Sequence, residues 1–525
     1  MRPTPQTSSQ ASGKLKKKWV YIPVEVKVRC FHARLLLACQ AADAGFGVVL
    51  GSQRAILDAL PFLPPGILLD KCLSLAKERF YENMRRMGHR IASLDEEGLV
   101  YTDPEVWAHL RASEANLDRS AAVFTWGPAQ QQIFETHYPN HVDRVIATGN
   151  PRIDLLRPEF RELFRESAQS IRDRHGRFVF MPSNHCVHMH AAGPGFIRKH
   201  FARLGYAKPE DRIRFESQRF EAHLTAMKEI TQAFPDLRII IRPHPGEDQT
   251  MWHTLVQAYR NVVVEAQGTI DPYLMAAEAV VHNGCTSAIQ AVVMDRPVIA
   301  YQPVTHEDYD QKLPNSVSLS TADPGQLIQA VRDVVNGTHS RDPQVDRILR
   351  HHLSSLDGPF AYVRIVEALR GIDIEPVHFR FKRLKQAVMK APRRTALTTL
   401  SILSSRTRRL VQYERQKCPR FSTDEVRRNI RHLGALAGSF DRISATPLAD
   451  DLYLFEQQPT AGQPPRTNPK RRTKGSVGPE ARPARVCPCP SGQTRRMNPA
   501  GRTKASVSPE GSTERSKSHR PPREC

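Results

Sequence analysis

No uninterrupted apolar run in this 525-residue chain reaches the ~18 residues that cross a bilayer. Its opening, MRPTPQTSSQASGKLKKK, has no apolar centre, so no secretory signal is expected there. The nine cysteines (Cys30, Cys39, Cys72, Cys186, Cys285, Cys418, Cys487, Cys489 and Cys525) follow no framework spacing. That excludes a disulfide scaffold and predicts free thiols in a reducing cytoplasm. Cys487-Pro488-Cys489 lacks a second ligand pair, so zinc is not expected there. No GxGxxG follows a strand pattern, and the sequence has neither a GxxxxGK[ST] loop nor a G-x-S-x-G elbow. These absences argue against a dehydrogenase, a kinase-like NTPase and an α/β-hydrolase.

Acidic residues are scarce at the two ends. The formal charge is +22, but residues 461–525 carry 15 Lys/Arg against four Glu, and residues 1–18 carry five basic residues and no acid. The body between them is therefore only about +6, which does not describe a nucleic-acid-binding core. The tail from 457 to 525 is rich in Pro, Gly, Ser, Thr and Arg, and cannot bury enough surface to offset its ordering entropy; it is expected to be disordered, as are residues 1–18. Asn468–Glu480 returns as Asn498–Glu510 with nine of 13 positions identical, a repeat too polar to stack into a solenoid. His378–Leu410 holds ten Lys/Arg and no acid, interleaved with Phe379, Phe381, Leu384, Val388, Leu397 and Leu400. This predicts basic amphipathic helices broken near Pro392, suited to an anionic membrane face or left as a solvated surface.

Residues 19–360 alternate short apolar runs with helical patterns. The first strand series is Trp19–Val24, Val48–Leu50, Ile67–Leu69, Arg90–Ser93, Ala121–Thr125 and Val145–Thr148. The second is Phe178–Met181, Leu237–Arg242, Val262–Val264, Ala279–His282 and Pro297–Tyr301. Helical patterns at Ala33–Ala44, Leu73–Met87, Pro128–Thr136, Phe215–Ala233, Thr286–Met294 and Gly325–Val335 lie between most of them. The pattern predicts an α/β chain with two Rossmann-like domains, 19–165 and 166–375, followed by a basic helical segment, 376–456. Ligands of such sheets sit beyond the carboxyl ends of the strands, so polar residues there are the candidates.

An apolar strand, Ile239-Ile240-Ile241, runs into Arg242-Pro243-His244-Pro245-Gly246-Glu247. Two prolines fix the backbone around His244, so its imidazole can meet a phosphate; the alternative is a rigid surface turn. Beyond a second strand, His282-Asn283-Gly284-Cys285-Thr286-Ser287 opens a helix. Hydroxyls and free N–H groups there make an anion site, or a plain N-cap. Ser93-Leu94-Asp95-Glu96-Glu97-Gly98 places three adjacent carboxylates at a strand end. Their mutual repulsion is expected to raise pKa values and poise a general base, unless the loop is merely an acidic surface.

Together these residues resemble a set in bacterial CMP-sugar transferases of the GT-B type, the sialyl-, polysialyl- and Kdo-transferases. Those carry an acidic pair then Gly, a His-Pro and paired hydroxyls, in that order; here they read Glu96-Glu97-Gly98, His244-Pro245 and Thr286-Ser287. Residues 19–330 also resemble the bacterial family called surface carbohydrate biosynthesis proteins. The stretches concerned are IPVEVKVR (Ile22–Arg29), LGSQ (Leu50–Gln53), GILLDK (Gly66–Lys71), SLDEEG, TGNPRID (Thr148–Asp154) and RPHPGE. CDP-glycerol glycerophosphotransferases are similar too, through the His-Pro turn and a G-x-P-R-x-D-like element. The resemblance implies an inverting, metal-independent glycosyltransferase that takes a CMP-linked sugar as substrate, uses no cofactor and builds surface polysaccharide on a glycan or glycolipid acceptor. The cysteine usage points to the cytoplasm, and the basic 378–410 segment to the inner face of the plasma membrane as a peripheral site. Alternatives are a CDP-glycerol or CDP-polyol phosphotransferase, a UDP-sugar 2-epimerase, and a degenerate GT-B scaffold without catalysis. By the same resemblance Glu97 or Glu96 is the general base, His244 holds or protonates the departing phosphate, and Thr286 and Ser287 bind it with Arg242 and Pro245. Arg242-Pro243 stands where sialyltransferases commonly have Lys-Gly, which leaves the sugar open.

Ser183–His190 (SNHCVHMH) follows the first strand of the second domain. It reads as a metal site, as a phosphate or substrate contact through His185, or as an inert loop. Glu25 can meet acceptor, act as an alternative base or pair with Arg29, and Lys27 follows it on the acceptor side. Arg152 can contact nucleotide or belong to a rigid hinge turn.

Overall fold

The computed structural model describes residues 17–203, 209–375 and 413–458. The first series of apolar runs forms β1 (Trp19–Val24), β2 (Gly47–Ser52), β3 (Ile67–Asp70), β4 (Arg90–Leu94), β5 (Ser120–Phe124) and β6 (Val145–Ile146). The second forms β7 (Phe178–Pro182), β8 (Arg238–Arg242), β9 (Val262–Val264), β10 (Ala279–His282), β11 (Val298–Tyr301) and β12 (Leu319–Thr321). Two strands follow far downstream, β13 (Ile443–Ala449) and β14 (Leu452–Gln457). The sheets run β13-β14-β2-β1-β3-β4-β5-β6 and β12-β11-β10-β7-β8-β9. All pairings within β1–β6 and within β7–β12 are parallel. The α/β architecture with two Rossmann-like sheets follows directly.

The central strands of each sheet are buried on both faces, as parallel sheets require, while β6 and β12 at the edges are partly exposed. Along β1, Val20, Ile22 and Val24 join one core with the Lys27–Asp43 helix, while Trp19 and Tyr21 join the core on the other face. The first of these cores is continuous with Phe178, Phe180, Ile240 and Val280 of the second sheet. A third core covers the opposite face of that sheet through Val179, Met181, Ile239 and Ile241. The Lys27–Asp43 helix begins six residues before the expected Ala33. The alternation Val24-Glu25-Val26-Lys27-Val28 resembles a strand, yet burial of Cys30 and Phe31 on the helical face prevails.

The largest departure from expectation is at 376–456, read from sequence as a helical segment. The helix Ala361–Gly371 packs on Lys27–Asp43 and returns the chain to the first sheet. The helix Thr423–Ala437 follows, started by a capping box of Ser422 and Glu425. Then β13 and β14 form an antiparallel hairpin, and β14 pairs antiparallel with β2, Phe455 opposite Val48. The hairpin covers what would otherwise be the exposed edge of β2. The basic stretch 378–410, and with it the expected membrane contact, lies outside the described residues. So do residues 1–16 and 459–525. Lys17 and Lys18, expected within a disordered N-terminus, are fastened: Lys17 pairs with Glu456 at 2.8 Å, and Lys18 donates to the carbonyls of Arg370 and Ile372. Among the described residues no helix is long and apolar enough to cross a membrane.

Candidate active-site cleft

Strand order locates the crevices. In the first sheet the order reverses between β1 and β3, and in the second between β7 and β10; side chains beyond the carboxyl ends of these strands are the ones a ligand meets. Glu25 follows β1, Lys71 follows β3 and Asp95–Glu97 follow β4. Ser183–His185 follow β7, His244 follows β8, and Asn283–Ser287 follow β10.

The first wall is charged. Glu96 is 5% exposed. It accepts from Arg34 at 2.5 Å and lies 3.8 Å from Arg152, so it is enclosed and cannot reach an acceptor hydroxyl. Arg152 donates onward to Gln290 of the Thr286–Val293 helix at 3.2 Å and lies over the Trp126 ring. It ties the two sheets together and is not available as a nucleotide contact. Glu97 differs: its side chain is 50% exposed, with Arg111 at 3.2 Å and Arg29 at 3.9 Å. Partial burial pushes its carboxyl up, but Arg111 and then Arg29 outweigh that and hold it below the ordinary range. The expected rise from clustered carboxylates therefore does not occur at Glu97. The cause is that Arg111 lies between Asp95 and Glu97, 2.8 Å from the former. At Asp95 burial does prevail, and the pKa is raised. Gly98 leaves no room for a side chain, since a Cβ would fall 2.5 Å from Trp126.

Glu25 sits among three cations: Lys71 at 2.6 Å, Lys417 at 3.0 Å and Arg29 at 3.7 Å. The crevice it shares with Arg34, Lys71 and Glu96 measures about 10 Å³, room for about one water. This is the ion-pair reading of Glu25, with two further partners. Lys27, the other acceptor-side candidate, is used structurally. It donates to Glu425 and to the Arg420 carbonyl, both at 2.7 Å, and lies over Phe421.

The second wall is neutral. His244 Nδ1 accepts from the Gly246 N–H at 3.1 Å and lies 2.8 Å from Cys186 Sγ. A backbone donor on Nδ1 places the ring proton on Nε2, so His244 presents an Nε2–H. Burial, with Arg29 adding and Glu97 opposing, pushes its pKa down to about 4. Glu247 holds the turn in place. Fully buried, its carboxylate accepts from Ser183 Oγ (2.6 Å), the His185 N–H (2.5 Å), the His244 N–H (3.2 Å) and Trp252 Nε1 (2.8 Å). Burial raises its pKa, with these donors opposing.

Beyond β10 the turn is as expected. Gly284 has φ +87°, a conformation that favours glycine, and the helix starts at Thr286. The cap is Cys285, whose sulfur accepts from the Ser287 N–H at 3.3 Å; Ser287 itself is buried and meets Cys285, leaving Thr286 as the more open hydroxyl. Two other candidates are not at the cleft surface. Arg242 donates to the carbonyls of Gln267 and Gly268 and lies over Tyr273. His185 is fully buried against Phe220 and His223 with neither ring nitrogen partnered. The histidines of its loop diverge: His188 meets Ser217, and His190 stacks on Phe196.

The two walls are joined by a stretch far away in sequence. Gln416 Nε2 donates to the carbonyls of Pro245 (3.0 Å) and Glu247 (2.9 Å), while Lys417 reaches Glu25. Sequence reasoning missed Gln416, Lys417, Arg111 and Glu247, and took Arg29 only as an ion-pair partner of Glu25. Glu247 carried a signal, as the last residue of RPHPGE; the others act through contacts that spacing does not reveal. A separate groove of about 430 Å³ is lined by Tyr101, Ile133, His137, Lys312 and His352, and by none of the residues above.

The model of the family described as CDP-Glycerol:Poly(glycerophosphate) glycerophosphotransferase matches residues 92–352. That span contains Glu96, Glu97, His244 and Thr286. No curated protein matches the chain. Similar solved structures include the wall teichoic acid polymerase TagF after a soak with CDPG, at TM-score 0.45 and 9% identity, covering 70% of this chain and 89% of that one. The S. aureus MnaA–UDP co-structure has TM-score 0.41 and 13% identity, covering 70% of this chain and 100% of that one. The Neisseria meningitidis UDP-GlcNAc 2-epimerase bound to UDP-GlcNAc has TM-score 0.42 and 12% identity, covering 67% and 99%.

Proposed function

We propose that this protein transfers a polyol phosphate from a CDP-activated donor to a hydroxyl acceptor during assembly of a bacterial surface polymer. The observation that carries this reading is the position of the matched family span. It takes in the acidic loop, the His-Pro turn and the Thr286 turn, the three elements whose carboxylate, imidazole and hydroxyl face the cleft. The reading held as the alternative from sequence thus becomes the favoured one, ahead of a CMP-sugar glycosyltransferase.

In this mechanism Glu97 takes the proton of the acceptor hydroxyl. The acceptor oxygen attacks the distal phosphorus of the donor, and the bond from that phosphorus to the bridging oxygen breaks. CMP leaves with the bridging oxygen, and its developing charge is met by His244 Nε2–H and the Thr286 hydroxyl. A neutral imidazole suits this role, because it donates without drawing Glu97 into a permanent ion pair. Glu96 positions the loop from behind through Arg34 and Arg152. No step calls on a metal, and a CMP-sugar transferase would use the same groups with carbon, not phosphorus, as the centre attacked.

The test is a thermal-shift screen of the full chain with CMP, CDP, UDP and GDP, followed by incubation with CDP-glycerol and a glycerol-phosphate-terminated acceptor. Cytidine nucleotides should raise the melting temperature, and CMP release should accompany phosphorus transfer. CMP release from a CMP-sugar without phosphorus transfer would restore the glycosyltransferase reading. Stabilisation by UDP alone would favour the epimerase.

A further inference from the structure

Among the described cations that meet Glu25, Asp95 and Glu97, Arg29 makes the loosest contacts, although Arg34 Nη1 and Arg152 Nε also lack a hydrogen-bond partner. Lys71 and Lys417 both lie within 3.0 Å of Glu25, and Arg111 is 2.8 Å from Asp95 and 3.2 Å from Glu97. Arg29 instead stands 3.7 Å from Glu25 and 3.9 Å from Glu97. Its Nε is buried and has no hydrogen-bond partner among the described residues. A buried donor left unmade is costly, and native structures rarely tolerate one. The charge balance points the same way: Arg29, Arg34, Lys71, Arg111, Arg152 and Lys417 face Glu25, Asp95, Glu96 and Glu97, so the cations are in excess. Arg29 also lies in the first turn of the Lys27–Asp43 helix, which carries no acidic residue. A cation there opposes the helix dipole. A planar fork of donors at the positive end of a helix suits a phosphate, which it can grip with two bonds.

We propose that Arg29 is a phosphate-binding residue that reaches across the cleft from the first sheet, completing a two-sided site for a pyrophosphate group. The inference rests on the reading that the second wall takes the phosphate next to the nucleoside through His244 and Thr286. Arg29, on the opposite wall, then takes the distal phosphate, with Lys417 beside it. A ligand with both phosphates bridges the walls, and one with a single phosphate does not. Arg29 is thereby the contact that distinguishes a nucleoside diphosphate from a monophosphate.

The experiment is calorimetry on the full chain and on Arg29→Gln and Arg29→Lys, with CMP, CDP and inorganic pyrophosphate as probes. Circular dichroism melting serves as the folding control, and the loose ion pairs of Arg29 predict that both variants fold. Arg29→Gln should weaken CDP and pyrophosphate about ten- to a hundredfold and leave CMP within twofold. Arg29→Lys should recover part of the loss, because charge returns without the fork. Wild-type CDP and pyrophosphate affinity in a folded Arg29→Gln would overturn the inference while leaving the nucleotide reading intact. Equal losses for CMP and CDP would overturn the assignment to the distal phosphate. Failure of the wild type to bind any cytidine nucleotide would overturn both the inference and the nucleotide reading beneath it.

Discussion

On the first-sheet wall, Glu25, Asp95, Glu96 and Glu97 each meet at least one Arg or Lys. On the second-sheet wall, His223, His244 and His282 have pKa values pushed down to about 4, about 4 and about 3, chiefly by burial, and Glu247 lies among four donors. One wall holds ion pairs with cations in excess, and the other presents neutral imidazoles fixed in orientation around the buried Glu247 carboxylate. The difference suits a division of labour. Proton removal needs an ionisable group, whereas stabilising a leaving phosphate needs donors that are already aimed and cost no reorganisation. It also means that the two walls must fail under different conditions.

Acid should separate them most sharply. A histidine whose folded pKa lies below its unfolded value of 6.5 binds fewer protons folded than unfolded. Stability is therefore full above pH 6.5 and falls as the pH drops toward 4, by roughly 1.4 kcal/mol per pH unit per histidine. Glu25, Glu96 and Glu97 have depressed pKa values, because nearby cations outweigh burial. Their contribution is present above about pH 4.5 and is lost only below it. Denaturant melts at pH 7 and pH 5 should show a net loss, reduced by Asp154 and Asp271, whose buried carboxyls, raised to about 7 and about 6, take up protons in the same window. Hydrogen exchange should place most of the early loss in β7, β8 and β10, with a smaller loss where His32 of the Lys27–Asp43 helix, likewise pushed down to about 4 by burial, packs on the first sheet. An unchanged midpoint, or uniform loss over β1–β4 as well, would contradict the contrast between the walls.

Within the first wall the two glutamates divide in the same way. Glu97→Gln should lower turnover by on the order of 10²–10⁴ with CDP affinity near wild type, and its half-exposed side chain should leave melting almost unaffected. Glu96→Gln should act on folding, because it leaves Arg34 and Arg152 without their buried anion; breaking such a pair costs about 3–5 kcal/mol. A stable, inactive Glu96→Gln beside an active Glu97→Gln would reverse the assignment. The pH profile supplies a second reading. With Glu97 held below the ordinary range, activity should stay level down to about pH 5 rather than declining from pH 7.

How much of this the sequence made legible follows from the range of the interactions involved. The strands of both sheets showed in their apolar runs, because β-branched and aliphatic residues buried on both faces leave a local signature. β12 did not, since Leu319-Ser320-Thr321 is short and its first two residues are exposed. β14 was missed for another reason. Its partner, Gly47–Ser52, lies some 400 residues upstream, and nothing near Leu452 announces that pairing. The site divides along the same line. Glu97 and His244 stand at strand ends next to Gly or Pro, and Thr286 stands two residues after Gly284, so the chain itself marked them. The Arg29–Glu25 pair is four residues apart and was legible, whereas Lys417 looks like an ordinary surface cation until the fold brings it against Glu25. Burial reversed the reading of His185 and Glu96, because a loop position does not say which way a side chain turns.

The smallest expected effect tests the neutral wall at a single atom. Cys186 Sγ lies 2.8 Å from His244 Nδ1, which already accepts from the Gly246 N–H. With Nδ1 an acceptor, the thiol hydrogen points to it, and both donors stabilise the uncharged ring. Removing one should let the His244 pKa rise from about 4 toward 6.5. A weak neutral hydrogen bond contributes about 0.5–1 kcal/mol, so the rise should be under one unit. The tautomer should persist, because Gly246 still donates. Protonation of Nδ1 would set two donors against each other and displace the turn, so the acid limb of turnover should move up by the same amount. Cys186→Ala should show that shift, read from imidazole ¹⁵N resonances with His244→Gln for assignment, while Cys186→Ser keeps a donor and stays near wild type. Equal behaviour of the alanine and serine variants would mean that the thiol only fills space, and that the orientation of His244 depends on Gly246 and Glu247 alone.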